Sequence, residues 1–156
     1  MLYSFDASSI IHFYDNYPLE NPHLVSLWDW FAEKIESGDF VISKRAYDEV
    51  LHKTDRLPEW FTEINIFEDT IADLEEAQRI KELLEIEEEG FHPKGVGEND
   101  IFIISISKRL NSVLVSNESQ INKPNLKKKY KIPSVCNLPE VDVECINIAE
   151  LLRRNP

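Results

Sequence analysis

Leu2-Tyr3-Ser4-Phe5-Asp6-Ala7-Ser8-Ser9 is the stretch that decides the fold of this chain. Apolar and polar residues alternate up to Phe5, as they do along a strand, and the run stops at the acid Asp6. Ser8 and Ser9 then lead into Ile10, Ile11, Phe13 and Tyr14, a short helix, with Pro18 and Pro22 ending it and opening the next. A strand that passes at once into a helix, with a carboxylate at the junction, is the start of an α/β unit with an acid at the carboxyl end of its strand.

The same grammar continues outward. From His23 to Ile35 the apolar positions Leu24, Leu27, Trp28, Phe31 and Ile35 recur at helical spacing, and Gly38 closes the segment. Phe40-Val41-Ile42 predicts a strand, and Ser43 caps a helix that carries Ala46, Tyr47, Glu49, Val50 and Leu51. Residues 58 to 89 read as helical throughout: Trp60, Phe61 and Ile64 mark one helix, and Ile71, Leu74, Ala77, Ile80, Leu83 and Leu84 a longer one. Gly90, Pro93, Gly95 and Gly97 break the pattern just before Asn99-Asp100, where a buried helix, Ile101 to Leu110, begins. Val113-Leu114-Val115 has the all-apolar character of an inner parallel strand, with Glu118 three residues beyond it. After Ile132-Pro133-Ser134-Val135-Cys136, the stretch from Val141 to Ile146 has strand character and a helix runs from Ile148 to Arg153. Alternating strands and helices predict a three-layer α/β/α sandwich on a mainly parallel sheet. With 156 residues and 42% apolar content, the chain reads as a single domain, 1–156, that buries about 70% of its unfolded surface.

Four acids stand out in this arrangement: Asp6, Glu49, Asp100 and Glu118. Each has an ordinary explanation as a cap, a first-turn charge, a solvated helix residue or a loop charge. Asp6 and Glu118 fall where open α/β sheets bind ligands, beyond the carboxyl ends of the strands, and Asp100, at a helix amino end, can point the same way. Neighbouring carboxylates raise each other's pKa unless a cation compensates them, and an all-oxygen ligand set suits Mg²⁺ or Mn²⁺. Such ions activate water and stabilise displacement at phosphorus, so the pattern points to a metal-dependent nuclease. Glu98 is an auxiliary acid beside Asp100.

Other classes fit less well. A haloacid-dehalogenase-like phosphatase needs a second Asp two residues after Asp6, where Ser8 stands, and no response-regulator phosphoacceptor pattern is evident. His12, His23, His52 and His92 lack paired metal spacing, and Cys136 and Cys145 read as packed, reduced thiols. No apolar run can span a bilayer, and the opening residues lack a basic segment before an apolar core, so a cytoplasmic protein is expected. The net charge of −12 argues against broad attraction to a polyanion. One basic stretch, from Lys123 through Lys127, Lys128, Lys129 and Lys131, is the place to hold phosphates if the substrate is nucleic acid.

The segments Tyr3-Ser4-Phe5-Asp6-Ala7-Ser8-Ser9, Lys44-Arg45-Ala46-Tyr47-Asp48-Glu49-Val50, Asn99-Asp100 and Val115-Ser116-Asn117-Glu118 together resemble the PIN domain over essentially the whole chain. The ending, Lys131-Ile132-Pro133-Ser134-Val135-Cys136 with Cys145-Ile146-Asn147, looks like the PIN-like subfamily DUF4411, which is similar to the toxin ribonucleases of VapBC-type toxin–antitoxin pairs. The resemblance implies an endoribonuclease with Mg²⁺ or Mn²⁺ held by Asp6, Glu49, Asp100 and Glu118, directly or through water. It further implies that Ser116 bonds a ligand carboxylate or a bound water, that RNA is the substrate, and that an antitoxin protein and a second copy of the chain are partners. Leu24, Leu27, Trp28 and Phe31, with Trp60, Phe61 and Ile64, are the surface expected to take a second copy of the chain or an antitoxin helix. Three positions depart from the family pattern: bulky Ile101-Phe102-Ile103-Ile104 follows Asp100, Ser116 stands where Thr is usual, and Glu118 replaces the commoner Asp. The alternative reading is a catalytically weak PIN-like scaffold that binds RNA or a protein.

Overall fold

Three segments that are buried on both faces need cover on both sides, which a parallel sheet with helical crossovers provides. In the computed structural model, which describes residues 1–119 and 124–156, these segments are β1 (Tyr3–Phe5), β2 (Phe40–Ile42) and β3 (Val113–Val115). With β4 (Cys145–Ile146) they form an all-parallel sheet in the order β2-β1-β3-β4. The register sets Phe5 beside Ile42 on one side and Val115 on the other. Seven α-helices accompany them among the described residues: α1 (Ala7–Asn16), α2 (Val25–Glu36), α3 (Lys44–Lys53), α4 (Ile71–Leu83), α5 (Glu98–Arg109), α6 (Ile132–Cys136) and α7 (Ile148–Arg154). The expected α/β/α sandwich is the fold observed. The chain leaves β1 toward β2 and leaves β3 toward β4, on opposite sides, so the switch point of the sheet lies between β1 and β3. Their carboxyl ends therefore flank the crevice where such sheets bind ligands.

Aromatic packing holds the first layer. Phe13 stacks on Phe31 with ring centroids 4.8 Å apart, and Phe5 meets Phe40 edge-on at 5.0 Å. The Trp28 indole N–H donates to the Tyr17 carbonyl at 2.7 Å, which lets a polar atom enter this cluster without penalty. Residues Ile101 through Ser107 of α5 are all buried. Its two serines survive there because Ser105 and Ser107 donate back to the carbonyls of Ile101 and Ile103.

The middle of the chain differs from the helical expectation. Glu59–Glu63 is a 3-10 turn, and Phe67 then lies alongside Ser43 as a parallel bridge, donating to the Ile42 carbonyl and accepting from Lys44. The apolar spacing of Trp60, Phe61 and Ile64 was satisfied by packing Trp60 against Trp28 and Phe61 against Tyr47, without helix continuation. A capping box between Thr70 and Asp73 starts α4, and left-handed Glu85 and Glu88 follow its end, so residues 85–89 are not helical. At the amino end of α2, the first turn, Pro22–Leu24, is 3-10. Only Cys145 and Ile146 of the stretch 141–146 join the sheet, since Asp142 turns the chain with φ 52°.

Of the surface expected to take a partner, Leu24, Leu27, Trp60 and Ile64 stay partly exposed. Trp28, Phe31 and Phe61 are buried in the core of the chain itself, whereas Ile71 and Leu74 on α4 are exposed. No helix among the described residues is long and apolar enough to cross a membrane. Lys123 lies outside the described residues.

One ion pair, with its carboxylate buried and its cation at the surface, ties α4 to α5. Asp73, fully covered, accepts Nε of Arg109 at 2.8 Å and closes its cap with Thr70. Removing only the cation leaves a buried carboxylate without its counter-charge. Arg109→Ala is expected to lower unfolding free energy by about 2–4 kcal/mol, measured by urea denaturation at pH 7. Adding Asp73→Asn to that variant should recover part of the loss.

Candidate metal centre

Asp6 is the anchor. It follows β1 directly, is 2% exposed, and serves as the N-cap of α1 by accepting Ser9 N–H on Oδ1 at 2.8 Å. Ser8 Oγ donates to Oδ2 at 2.8 Å and Ser116 Oγ donates to the same oxygen at 2.6 Å. These hydroxyls are themselves oriented: the Glu118 N–H donates to Ser116 Oγ and the Asn117 N–H to Ser8 Oγ, each at 3.2 Å. With their lone pairs engaged by the turn after β3, both hydroxyls aim their protons at Asp6. Burial pushes the Asp6 carboxyl pKa above its ordinary value, against the pull of the Ser116, Ser9 and Ser8 hydrogen bonds.

Asp100 enters from a different element. It is the third residue of α5 and accepts the Gly97 N–H at 3.1 Å. Burial above all raises its pKa from 3.8 to about 7; the Gly97 hydrogen bond opposes the rise, and the charges of Glu118, Glu49 and Asp6 add to it. Glu118 lies beyond β3 and accepts the Ile132 N–H at the start of α6 at 3.1 Å. Its pKa is raised, first by burial and further by Asp6 and Glu49, while Ile132 N–H and Lys131 work the other way. Glu49, midway along α3, reaches the same field and takes a 2.9 Å ion pair from the exposed Lys53. The charges of Asp6, Glu49 and Glu118 thus reach Asp100, and those of Asp6 and Glu49 reach Glu118, although the four acids are far apart in sequence.

These oxygens suit a hard divalent ion in kind. Among the described residues, however, no three His, Cys, Asp or Glu side chains are arranged to hold an ion. Each carboxylate is engaged elsewhere: Asp6 with hydroxyls, Asp100 and Glu118 with backbone N–H groups, Glu49 with Lys53. The set fits an ion that keeps several waters, as Mg²⁺ does, better than a fully dehydrated one.

Sequence reading passed over several contributors. Ser8 and the backbone of Asn117 orient Asp6, and His12 Nδ1 pairs with the Asn117 amide at 2.9 Å. The position of Ser8, two residues after the acid, was the available signal. Glu98 points away from Asp100 in its pairing, toward Lys81. The loop before Asp100 is clamped to the lysine segment: Val96 N–H donates to the Tyr130 carbonyl at 2.9 Å, and a Cβ on Gly95 would stand 1.9 Å from the Lys128 carbonyl oxygen. The cysteines are free thiols, Cys136 buried beside Cys145.

The family model described as "Domain of unknown function (DUF4411)" matches residues 3–156, so the chain belongs to that family. Among solved structures, a chain from the crystal structure of VapBC2 from Rickettsia felis, bound to a DNA fragment from their promoter, matches with a TM-score of 0.57. The identity is 15%, and the match covers 94% of this chain and 98% of that one. The likeness is one of fold. A search of curated proteins finds no match.

The raised Asp100 pKa has a consequence for stability. Between the ordinary value of 3.8 and about 7, the unfolded chain releases this proton while the folded chain keeps it. Stability therefore falls as pH rises through that window, with no penalty below it and the full penalty above it. Asp100→Asn in EDTA should raise stability by about 1–3 kcal/mol at pH 8 and by less at pH 5, read by thermal melts. A lower melting temperature at pH 8 would make Asp100 a structural cap instead.

Proposed function

We propose that this protein is a Mg²⁺- or Mn²⁺-dependent endoribonuclease, the toxin of a toxin–antitoxin pair, cutting RNA at the crevice between β1 and β3. The observation that supports the reading is that Asp100 lies in the field of Asp6, Glu49 and Glu118, acids carried by separate parts of the chain. Asp6, Glu49, Asp100 and Glu118 would hold the ion. When bound, a divalent ion supplies a water of lowered pKa and positive charge for the phosphoryl oxygens.

The residues of this chain do the rest. Ser8 and Ser116 fix the Asp6 carboxylate in one orientation, so its geometry is set before any ligand arrives. Lys53 is exposed, and a surface pair of this kind is worth under about 1 kcal/mol, so Glu49 can release it at small cost. Phosphates would lie along Lys94, Lys128 and Lys129, whose charges meet at His92 and which border the loop leading to Asp100. Ile71 and Leu74, exposed one turn apart on α4, offer apolar surface to an antitoxin or to a second copy of the chain.

The decisive measurement is cleavage of single-stranded RNA with and without metal. Wild-type protein is expected to cut only with Mn²⁺ or Mg²⁺. Asp100→Asn should lose cleavage, and should lose calorimetric Mn²⁺ binding with it. RNA binding with neither cleavage nor a bound ion would favour the alternative, a scaffold without catalytic role.

The lysine ridge gives a second outcome. Replacing Lys128 and Lys129 together by Ala should weaken binding to every RNA sequence alike. It should also make the slope of log K against log salt shallower by roughly 1.4, two single-strand phosphate contacts at about 0.7 each.

A further inference from the structure

Beside the carboxylates lies a groove of about 460 Å³, lined by Lys44, Arg45, Asp48, Glu68, Asp69 and Asn99, that the reading above leaves without a task. Its volume is that of a small-ligand site. Two residues join it to the cluster: Asn99 immediately precedes Asp100, and Arg45 sits one helical turn before Glu49 on α3.

Arg45 is held still. Its Nε and one terminal nitrogen approach Asp69 Oδ2 at 2.8 and 2.7 Å, and its Nη1 donates to Asn99 Oδ1 at 3.2 Å. The guanidinium carbon stands 3.9 Å from the centroid of the Phe102 ring. A planar guanidinium backed by an aromatic ring on one side offers its other side to whatever enters the groove, and such planes stack unpaired bases.

Charge decides which group enters. Lys44 is matched by Asp48 at 2.9 Å and Arg45 by Asp69, which leaves Glu68 over, without an ion pair among the described residues. Two cations against three carboxylates make a poor phosphate site. They make a good one for a neutral, flat group with N–H donors. A carboxylate is acceptor-only and has two oxygens, so it fits a partner with two adjacent donors. Among the bases, the guanine edge presents such a pair, N1–H beside the N2 amine.

We propose that this groove receives an unpaired guanine next to the scissile phosphate, stacked on Arg45 and read by Glu68. The site rests on the ribonuclease reading for its place in the substrate, and binding without turnover separates the two.

The test uses the intact chain in EDTA, with a fluorescein-labelled single-stranded hexanucleotide carrying one central guanine and its counterpart with uracil there. Wild-type protein and Asp100→Asn should both hold the guanine oligomer about tenfold more tightly, the worth of one good bidentate pair. Glu68→Gln, a change at an exposed position, should bring that ratio close to one, whereas the Lys128/Lys129 double variant should loosen both oligomers equally. Equal affinity for the two oligomers, or discrimination that survives Glu68→Gln, overturns the guanine site even if metal-dependent cleavage is intact. Capture of an arginine-rich peptide with no oligonucleotide binding overturns it too, and marks the groove as a protein dock. Guanine discrimination without cleavage under any metal supports the base site and sinks the catalytic reading alone.

Discussion

A single carboxylate held away from water, that of Asp6, is the constraint on which the rest of this structure depends. An acid that is 2% exposed needs partners, and here they come from two segments over a hundred residues apart. Ser8 and Ser9 belong to the helix that Asp6 itself caps, and Ser116 to the turn after β3. The Asp6 N–H also donates to the Val115 carbonyl at 3.1 Å, extending the β1–β3 ladder to the point where both strands end. Satisfying this one side chain therefore aligns β1, α1, β3 and the 116–118 turn together. The crevice follows from that alignment.

The remaining acids are tolerated through a related device. Asp6 caps α1, Asp100 lies in the first turn of α5, and Glu118 accepts a first-turn N–H of α6. Helix amino ends carry unsatisfied N–H groups and a partial positive charge, so each carboxylate receives donors that the backbone must place somewhere in any case. The parallel topology is what brings these ends together, because every helix that follows a strand begins at the same edge of the sheet. Glu49 alone sits mid-helix and takes its compensation from Lys53 instead. The hydrogen bonds oppose burial without cancelling it, and Asp100 keeps a pKa of about 7.

How much of this was legible in the sequence depended on whether a signal was local. β1, β2 and β3 were, β1 from its alternation and β2 and β3 because three consecutive apolar residues between turn signals have few other readings. Ser43 as a cap was too, its Oγ accepting Ala46 N–H. The 3-10 turn at Glu59–Glu63 and the Phe67 bridge were not, because Trp60 and Phe61 have the spacing of a helix while their pairing with Trp28 and Tyr47 is a tertiary fact. The same limit applies to the acids. Their positions could be read one at a time, but the hydroxyls that orient Asp6 are fixed by N–H groups of residues 117 and 118, visible only once β3 lies beside β1. Trp28, Phe31 and Phe61, expected on a partner surface, lie in the chain's own core for the same reason, since an aromatic looks alike in sequence whether its own core or a partner covers it.

For a chain with a net charge of −12, the proposed handling of a polyanion poses a local problem, not a global one. Charges beyond about 8–10 Å are screened at physiological salt, so the acidic outer residues of α4 matter less than what stands at the crevice. There the lysines of 127–131 run beside the glycine-bearing loop that leads to Asp100, and Gly95 permits the approach because any side chain would strike the Lys128 carbonyl. The basic strip and the acidic cluster are thus parts of one backbone crossing. An anionic strand would be held on one side of that crossing while its phosphate met carboxylates on the other, which is repulsive unless a divalent ion stands between them. The charges of Glu118, Glu49 and Asp6 that add to the rise in the Asp100 pKa would, in the proposed nuclease, be offset by a divalent ion placed among them.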